Sequence, residues 1–341
     1  MIEIIGKELS KELTVVSLFD GIGTGLISLK ELGYKCKYYA SEIDEFSMRV
    51  AMKNHLEIVE MGNILKISYQ RVELIQDSTI VFGDEKRCIG EVDLLLGGSP
   101  CNDLSVQQSL RTGLTGHQSK LFYEFVRLLS EIRPRYFLFE NVRMSKADEQ
   151  EITRLLQVEP IRINSKLLSG QKRDRLYWTN IPNVEQPSDL HIYLQDIIDS
   201  GYVDKDKSNC ITESLSRQTP TPATARRYFM GFGQLIFDSK QEYDKIVGTT
   251  PQDRISFAKR MRSLPGGKQL VSGVDTPNVR MLTPNEAEKL QTLPIDYTYV
   301  ESFYYSSKGY NKNRGNTKRL SMIGEGWTKD VITHILKNME F

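Results

Sequence analysis

Cysteine is scarce in this chain: four in 341 residues, at positions 36, 88, 101 and 210, with no CxxC spacing and no paired histidines nearby. That argues against a zinc site and against a secreted disulfide scaffold, and makes a reducing cytoplasm the expected compartment. No run approaches the roughly 18 apolar residues that a membrane span requires. The mixed, charged opening MIEIIGKELSKEL reads as neither a signal nor a transit peptide. Internal repeats and low-complexity tracts are missing as well. Acidic residues are absent locally rather than globally. Net charge is +1, yet residues 214–237, 254–274 and 302–324 contain no Asp or Glu. The last two windows hold Arg254, Lys259, Arg260, Arg262 and Lys268, then Lys308, Lys312, Arg314, Lys318 and Arg319, the latter set among Tyr304, Tyr305 and Tyr310. Such windows suit a polyanion, and equally an ordinary solvated surface.

What is present is a balanced globular composition, 39% hydrophobic and 26% charged. In the N-terminal half, VVSLF (15–19), YYASEI (38–43), LEIVEMG, VDLLLGG (92–98) and YFLFENV (136–142) read as strands. Between them GLISLKEL, EFSMRVAMKN and SKLFYEFVRLLSEI read as helices. Apolar strands alternating with helices predict an α/β fold, a doubly wound, mostly parallel sheet covered on both faces. Ligands of such sheets collect at the carboxyl ends of the strands. From about residue 205 to 278 Pro, Thr, Ser and Gly become frequent and helical periodicity fades. The expected organisation is therefore a discontinuous catalytic domain, 1–205 plus 279–341, with a smaller irregular module at 206–278.

Three strand ends carry the chemistry. FDGIGTG (19–25) follows a strand and precedes a helix, so its backbone N–H groups could hold a polar cofactor. It is not a GxGxxG fingerprint and lacks the lysine of a phosphate-cradling loop, which suits a nucleoside without a diphosphate; a plain tight turn reads the same way. Glu42 ends the next strand, placed to accept from ribose hydroxyls. Cys101 follows a proline in the loop GGSPCNDLS, where a helix N-terminus and cations can lower a thiol's pKa, although a lone cysteine is often inert. Glu140 closes the run YFLFENV, and a buried carboxylate is costly unless paired. In QKRDRLYW, Arg173 and Arg175 are expected on one face of a strand, because side chains alternate. Together these supply a nucleophile, a proton donor and a charge clamp.

The ordered set FDGIGTG, ASEID, GGSPCNDLS, FENV, QKRDR, LTPNEAEKLQTLP and MIGEGWTKDVI resembles the DNA (cytosine-5)-methyltransferase family. PCNDLS with the following RTGLTGHQSKLFYEFVRLL is most similar to the catalytic domain of the vertebrate de novo DNA methyltransferases. The match covers roughly residues 14–205 and 279–340. It implies a base-flipping transferase that uses S-adenosyl-L-methionine, with catalytic residues Cys101, Glu140, Arg173 and Arg175. Cys101 would attack carbon 6 of cytosine, Glu140 would hydrogen-bond N3 and the exocyclic amine, Arg175 would stabilise the base carbonyl, and Arg173 would support Glu140 or the loop. The cofactor would be held by Phe19, Asp20, Gly21, Ile22, Gly23, Thr24, Glu42, Ile43, Asn63, Ile64, Leu121, Glu325, Gly326 and Trp327. Two departures stand out. Asn63 occupies a position where many relatives carry an aspartate that accepts from the adenine amine. Glu325 stands where relatives often carry Asn or Arg.

The resemblance further implies double-stranded DNA as partner, no metal and no membrane, with a cognate restriction enzyme as a candidate partner and the oligomeric state open. Gln107 and Gln108 are expected to fill the space left by the flipped base. Arg217, Gln218, Arg226 and Arg227 of the small module are the expected base readers, and Lys312 and Arg314 the expected phosphate contacts. The stretch CITESLSRQ lacks an arginine directly after ITE, so CpG specificity does not carry over. Alternative readings are a catalytically weak DNA-binding regulatory relative, an RNA cytosine-5 methyltransferase and a small-molecule methyltransferase.

Overall fold

The structure is a computed structural model that describes residues 12–72, 75–100, 120–212, 227–228, 230–231, 233–263 and 279–341. By internal contacts the chain divides into two units. The first comprises Met1–Ile163, Asp174–Pro187 and Lys329–Phe341; the second comprises Asn164–Arg173 and Ser188–Thr328. The segment 206–278 lies inside the second unit, which also takes in its flanks on both sides.

The first unit is built on a seven-stranded sheet. Its strands are β1 (Leu13–Leu18), β2 (Cys36–Ser41), β3 (Ile58–Glu60), β7 (Leu94–Gly97), β8 (Tyr136–Val142), β9 (Ile161–Asn164) and β10 (Asp174–Thr179), in the order β3-β2-β1-β7-β8-β10-β9. Neighbours from β3 to β8 are parallel, and β10 runs antiparallel to β8. Helices α1 (Thr24–Glu31), α2 (Glu45–Asn54), α3 (Leu121–Ile132) and α4 (Lys146–Leu156) alternate with the strands. The expected α/β architecture is thus found, and the strands read as unbroken apolar runs for a physical reason. Val16, Leu18, Leu95, Phe137 and Phe139 pack in one core with Phe122, Phe125 and Leu128 of α3 and Ile152 of α4. Their neighbours in sequence, Val15, Leu94, Leu96 and Leu138, point to the opposite face and are buried too.

A three-stranded antiparallel meander, β4 (Ile67–Gln70), β5 (Thr79–Phe82) and β6 (Glu85–Cys88), was not foreseen from the sequence. It adds Ile67, Tyr69, Ile80 and Phe82 to the core under α3. Strand order reverses between β1 and β7. The carboxyl ends of those two strands therefore flank the topological switch point, where open α/β sheets bind ligands. FDGIGTG and GGSP leave the sheet there.

The second unit has its own core, including Leu194, Ile211, Tyr228, Phe237, Tyr243, Leu290 and Ile323. A short antiparallel pair, β11 (Leu235–Phe237) with β12 (Val279–Met281), sits in it. The run LTPNEAEKLQ forms a helix, Pro284–Leu290, started by Thr283 and Glu286 capping each other's backbone N–H groups, with proline in the first turn.

Candidate active site

The β1–α1 turn is tight and unusual. Phe19, Gly21 and Gly23 all have positive φ, at 59, 62 and 81°. For Phe19 that is a strained conformation of the kind held at functional sites. Phe19 also packs its ring, partly buried, on the core. Helix α1 starts at Thr24 with no side-chain cap, leaving its first N–H groups for another acceptor. Gly25 is required: a Cβ there would lie 2.6 Å from the Tyr38 hydroxyl and 2.5 Å from Leu96. That space lets the Tyr38 hydroxyl donate to Asp20 Oδ1 at 2.6 Å, beside a 2.5 Å bond from Ser17 Oγ. Burial dominates over these bonds and pushes the Asp20 carboxyl up to about 6.

Glu42 closes the turn from the other side. Its carboxylate accepts from Gly21 N at 2.9 Å, Ile43 N at 2.7 Å and Asp44 N at 2.9 Å. The acid expected to meet a ribose therefore also fixes the glycine turn. Ile43 is 69% exposed, whereas Ile22 and Ile64 are buried. Thr24 is buried and Leu121 is half-buried at the start of α3. Asn63 Oδ1 caps the short 3-10 turn Ile64–Lys66 by accepting from Leu65 N at 3.0 Å. One lone pair of that oxygen remains for a second donor.

Sequence reasoning overlooked Glu60, the last residue of β3. Burial, then the neighbouring Asp20 and Glu42 carboxylates, push its carboxyl up to about 8. The signal was available, because LEIVE closes an apolar run with a carboxylate just as YFLFE does.

Glu140 stands at the carboxyl end of β8, and Arg175 lies diagonally across from it on β10. Arg175 Nε is 3.0 Å from Glu140 Oε1, with side chains only 13% and 10% exposed. Asp174, one residue earlier, is gripped by Arg162, at 2.9 Å from Nε, and approached by Arg143. Cys101, Gln107 and Gln108 lie outside the described residues. Their loop's entrance is anchored: Asn141 Nδ2 donates to Ser99 Oγ at 3.2 Å and Ser99 O at 3.3 Å. Asn141 points to the opposite face of β8 from Glu140, so adjacent residues serve the acid and the loop separately.

Arg173 departs from expectation. Strand β10 begins only at Asp174, so Arg173 and Arg175 do not share a strand face. Arg173 belongs to the second unit, where its buried guanidinium donates to Ile211 O at 2.9 Å, Gly324 O at 3.2 Å and Gly326 O at 2.8 Å. The Gly326 carbonyl also accepts from Gln291 Nε2 at 3.1 Å, and Gln291 Oε1 accepts from Gln171 and Thr328. Arg173 thus positions the Glu325–Gly326–Trp327 stretch, in which Trp327 is buried and Glu325 exposed.

Of the expected DNA contacts, Arg217, Gln218 and Arg226 lie outside the described residues. Arg227 is half-buried, and Lys312 is exposed at the start of the helix Lys312–Glu325. Arg314 donates to the carbonyls of Phe303 and Tyr305, so part of its guanidinium is taken up in fixing the hairpin Tyr305–Tyr310. Among the described residues, no helix is long and apolar enough to cross a membrane, and no group of three or more His, Cys, Asp or Glu is placed to hold a metal ion.

Comparison with known proteins adds the family. The sequence model for C-5 cytosine-specific DNA methylases matches residues 13–159. An orphan methyltransferase of Bacillus phage rho11s, M.Rho11sI, is 31% identical over 180 residues, covering 49% of this chain and 32% of that one, so the chain spans about a third of that relative's length. The type II methyltransferase M1.ScrFI of Lactococcus lactis subsp. cremoris is 24% identical over 308 residues, covering 83% of this chain and 70% of that one. The Entamoeba histolytica methyltransferase EhMeth shares the fold, with a TM-score of 0.60 at 14% identity over 96% of this chain and 98% of that one.

Proposed function

We propose that this chain, whose residues 13–159 match the sequence model for C-5 cytosine-specific DNA methylases and which is similar to type II methyltransferases over most of its length, methylates carbon 5 of a cytosine flipped out of double-stranded DNA, using S-adenosylmethionine. The observation that carries the reading is the Glu140–Arg175 pair, in which Glu140, inside the matched stretch 13–159, lies side by side with the guanidinium of Arg175 from the adjacent strand β10. The residues present fit the cofactor. An acid-rich glycine turn with a carboxylate at the next strand end suits a cationic nucleoside and repels a diphosphate.

S-adenosylmethionine supplies an electrophilic methyl group when bound. The Cys101 thiolate adds to carbon 6 of cytosine, and the electron pair released makes carbon 5 nucleophilic. Glu140 accepts from the exocyclic amine and shares a proton with N3 as the ring is attacked. Arg175 holds Glu140 in place and donates to the base carbonyl, whose charge grows during attack. After methylation, solvent water takes the carbon 5 proton, the C5–H electron pair reforms the ring double bond, and the C6–S bond breaks to release Cys101 as thiolate. Asn141 fixes the entrance of the Cys101 loop, and Arg173 fixes the Trp327 stretch. Arg227 and Lys312, with Arg217, Gln218 and Arg226, are candidates for DNA contact, and a restriction enzyme is a candidate partner.

The test is methyl transfer to a random double-stranded DNA library by the full chain, mapped by bisulfite sequencing. Sequence-specific conversion is expected. Cys101→Ala should abolish it, and 5-fluorocytosine DNA should trap a covalent complex with the unmutated protein only. Transfer by Cys101→Ala at the unmutated rate would overturn the mechanism.

A further inference from the structure

We propose that Glu60 is a further residue of the cofactor site, forming with Asp20 an acid pair that recognises a positively charged group of the ligand by releasing a proton in exchange for it. The proposal rests on the cofactor reading above.

Residues paired directly across neighbouring strands share a face of the sheet. Glu60 pairs with Ala40, and Ala40 with Ser17, so the three lie in one row on one face of β3, β2 and β1. Tyr38 is one pleat back on that face. Between Ser17 and Glu60 the row holds only the single methyl of Ala40. Ser17 and Tyr38 both bind the same oxygen of Asp20, Oδ1. The other oxygen, Oδ2, is sealed from solvent and has no hydrogen-bond partner among the described residues, and the same holds for both oxygens of Glu60. Asp20 as a whole is only 6% exposed. A buried oxygen left unpaired carries an unrepaid desolvation cost, and three such oxygens lie on the carboxyl side of one sheet.

The charged and titratable groups that act on Glu60 are Asp20 from the β1–α1 turn and Glu42 from the end of β2. Both are acids. Tyr38 and Ser17 bear on the pair through Asp20. With its carboxyl held up at about 8, Glu60 keeps its proton near neutrality. The three acids do not form a metal-ligating group, and they repel anions. An organic cation, ammonium or sulfonium, is the chemistry that converts their mutual repulsion into attraction. The balance is simple: the O–H bond of Glu60 breaks, the proton goes to solvent, and the carboxylate faces the bound cation. Because Glu60 starts protonated, affinity rises with pH until about 8, at most tenfold per unit, and is flat above.

The experiment is calorimetric titration of the full chain near neutral pH, in two buffers of different ionisation enthalpy, which counts protons released. Three nucleosides distinguish the cations: S-adenosylmethionine has sulfonium and ammonium, S-adenosylhomocysteine has ammonium only, and 5′-methylthioadenosine has neither. We expect up to one proton released with S-adenosylmethionine and none with 5′-methylthioadenosine. Release with S-adenosylhomocysteine assigns the ammonium; its absence there assigns the sulfonium. Glu60→Gln should release no proton and should lose the rise in affinity with pH. Equal release from Glu60→Gln and unmutated protein, or no release from unmutated protein with S-adenosylmethionine, overturns the proposal. The comparison between nucleosides needs no variant, so it decides even if Glu60→Gln fails to fold. If none of the three binds, the cofactor reading itself fails; binding without proton release sinks only the present proposal.

Discussion

Two strands of one sheet, β3 and β8, each close an apolar run with a glutamate, and the pairing register puts both side chains on the same face. Glu140 on β8 has a guanidinium 3.0 Å away. Glu60 on β3 has two further acids for neighbours and no partner for either oxygen among the described residues. The difference lies in the neighbouring strand of the sheet. Beyond β8 the chain returns as antiparallel β10, which carries Arg175 back across the strand end. β3 is the sheet's last strand on its side, and no strand among the described residues returns beside it. A strand-end acid thus becomes half of an ion pair or a proton store according to what crosses it.

The largest expected effect breaks the paired side. Arg175→Ala leaves Glu140 buried without its cation, at a cost of about 3–5 kcal/mol, and slows methyl transfer by about 10²–10³-fold. Glu140→Gln should lose as much turnover and much less stability. Denaturant melts beside single-turnover rates check both, and equal destabilisation by the two changes would contradict the assignment.

Anchoring comes next. Asn141→Ala removes both bonds to Ser99 and, by loosening the entrance to the Cys101 loop, should slow transfer by about 10–100-fold. Cofactor affinity should stay unchanged, because Asn141 lies on the other face from the acid row. A calorimetric titration showing weakened cofactor binding would refute that separation.

A smaller effect sharpens the unpaired side. A carboxyl whose folded pKa is raised binds more protons folded than unfolded, so its contribution to stability is present at low pH and lost as pH rises. For Glu60 the window runs from its ordinary value of 4.5 to about 8. Glu60→Gln should therefore raise the melting temperature of the cofactor-free protein by a few degrees above pH 8 and leave it unchanged near pH 4, as thermal melts across that range would show.

The smallest change is Lys312→Ala, which should leave stability untouched and lower the salt slope of DNA binding by about one. Arg314→Ala should instead destabilise the second unit, because its guanidinium is spent on the Phe303 and Tyr305 carbonyls. Salt titrations of DNA binding alongside melts would separate the two.

The parallel sheet was legible because double burial leaves an unbroken apolar run, and the glycine turn because its residues need positive φ. The meander β4–β6 was not, since its strands are short and β6 is fully exposed, with only charged residues and Cys88 along it. Glu140 was singled out by its position, yet the same reasoning passed over Glu60. Only coordinates distinguish a strand with a neighbour from an edge. Arg173 was misjudged because alternation was assumed one residue too early: its carbonyl is engaged with Ser165 N, outside β10. Contacts between residues far apart in sequence, such as Gln171 with Gln291, left no local trace.

The first unit also has a timetable. Helix α1 packs against Lys329–Leu336, where Ser28 Oγ meets Lys329 O across 301 positions of chain and Lys329 pairs with Glu31. The whole of the second unit's longer segment must be synthesised before that helix exists. During synthesis the glycine turn emerges first, and the helix that packs on α1 emerges only after more than a hundred intervening residues of unit two. Loop closure on that scale is slow. The first unit thus cannot complete its packing on α1 until the longer segment of the second unit has been made.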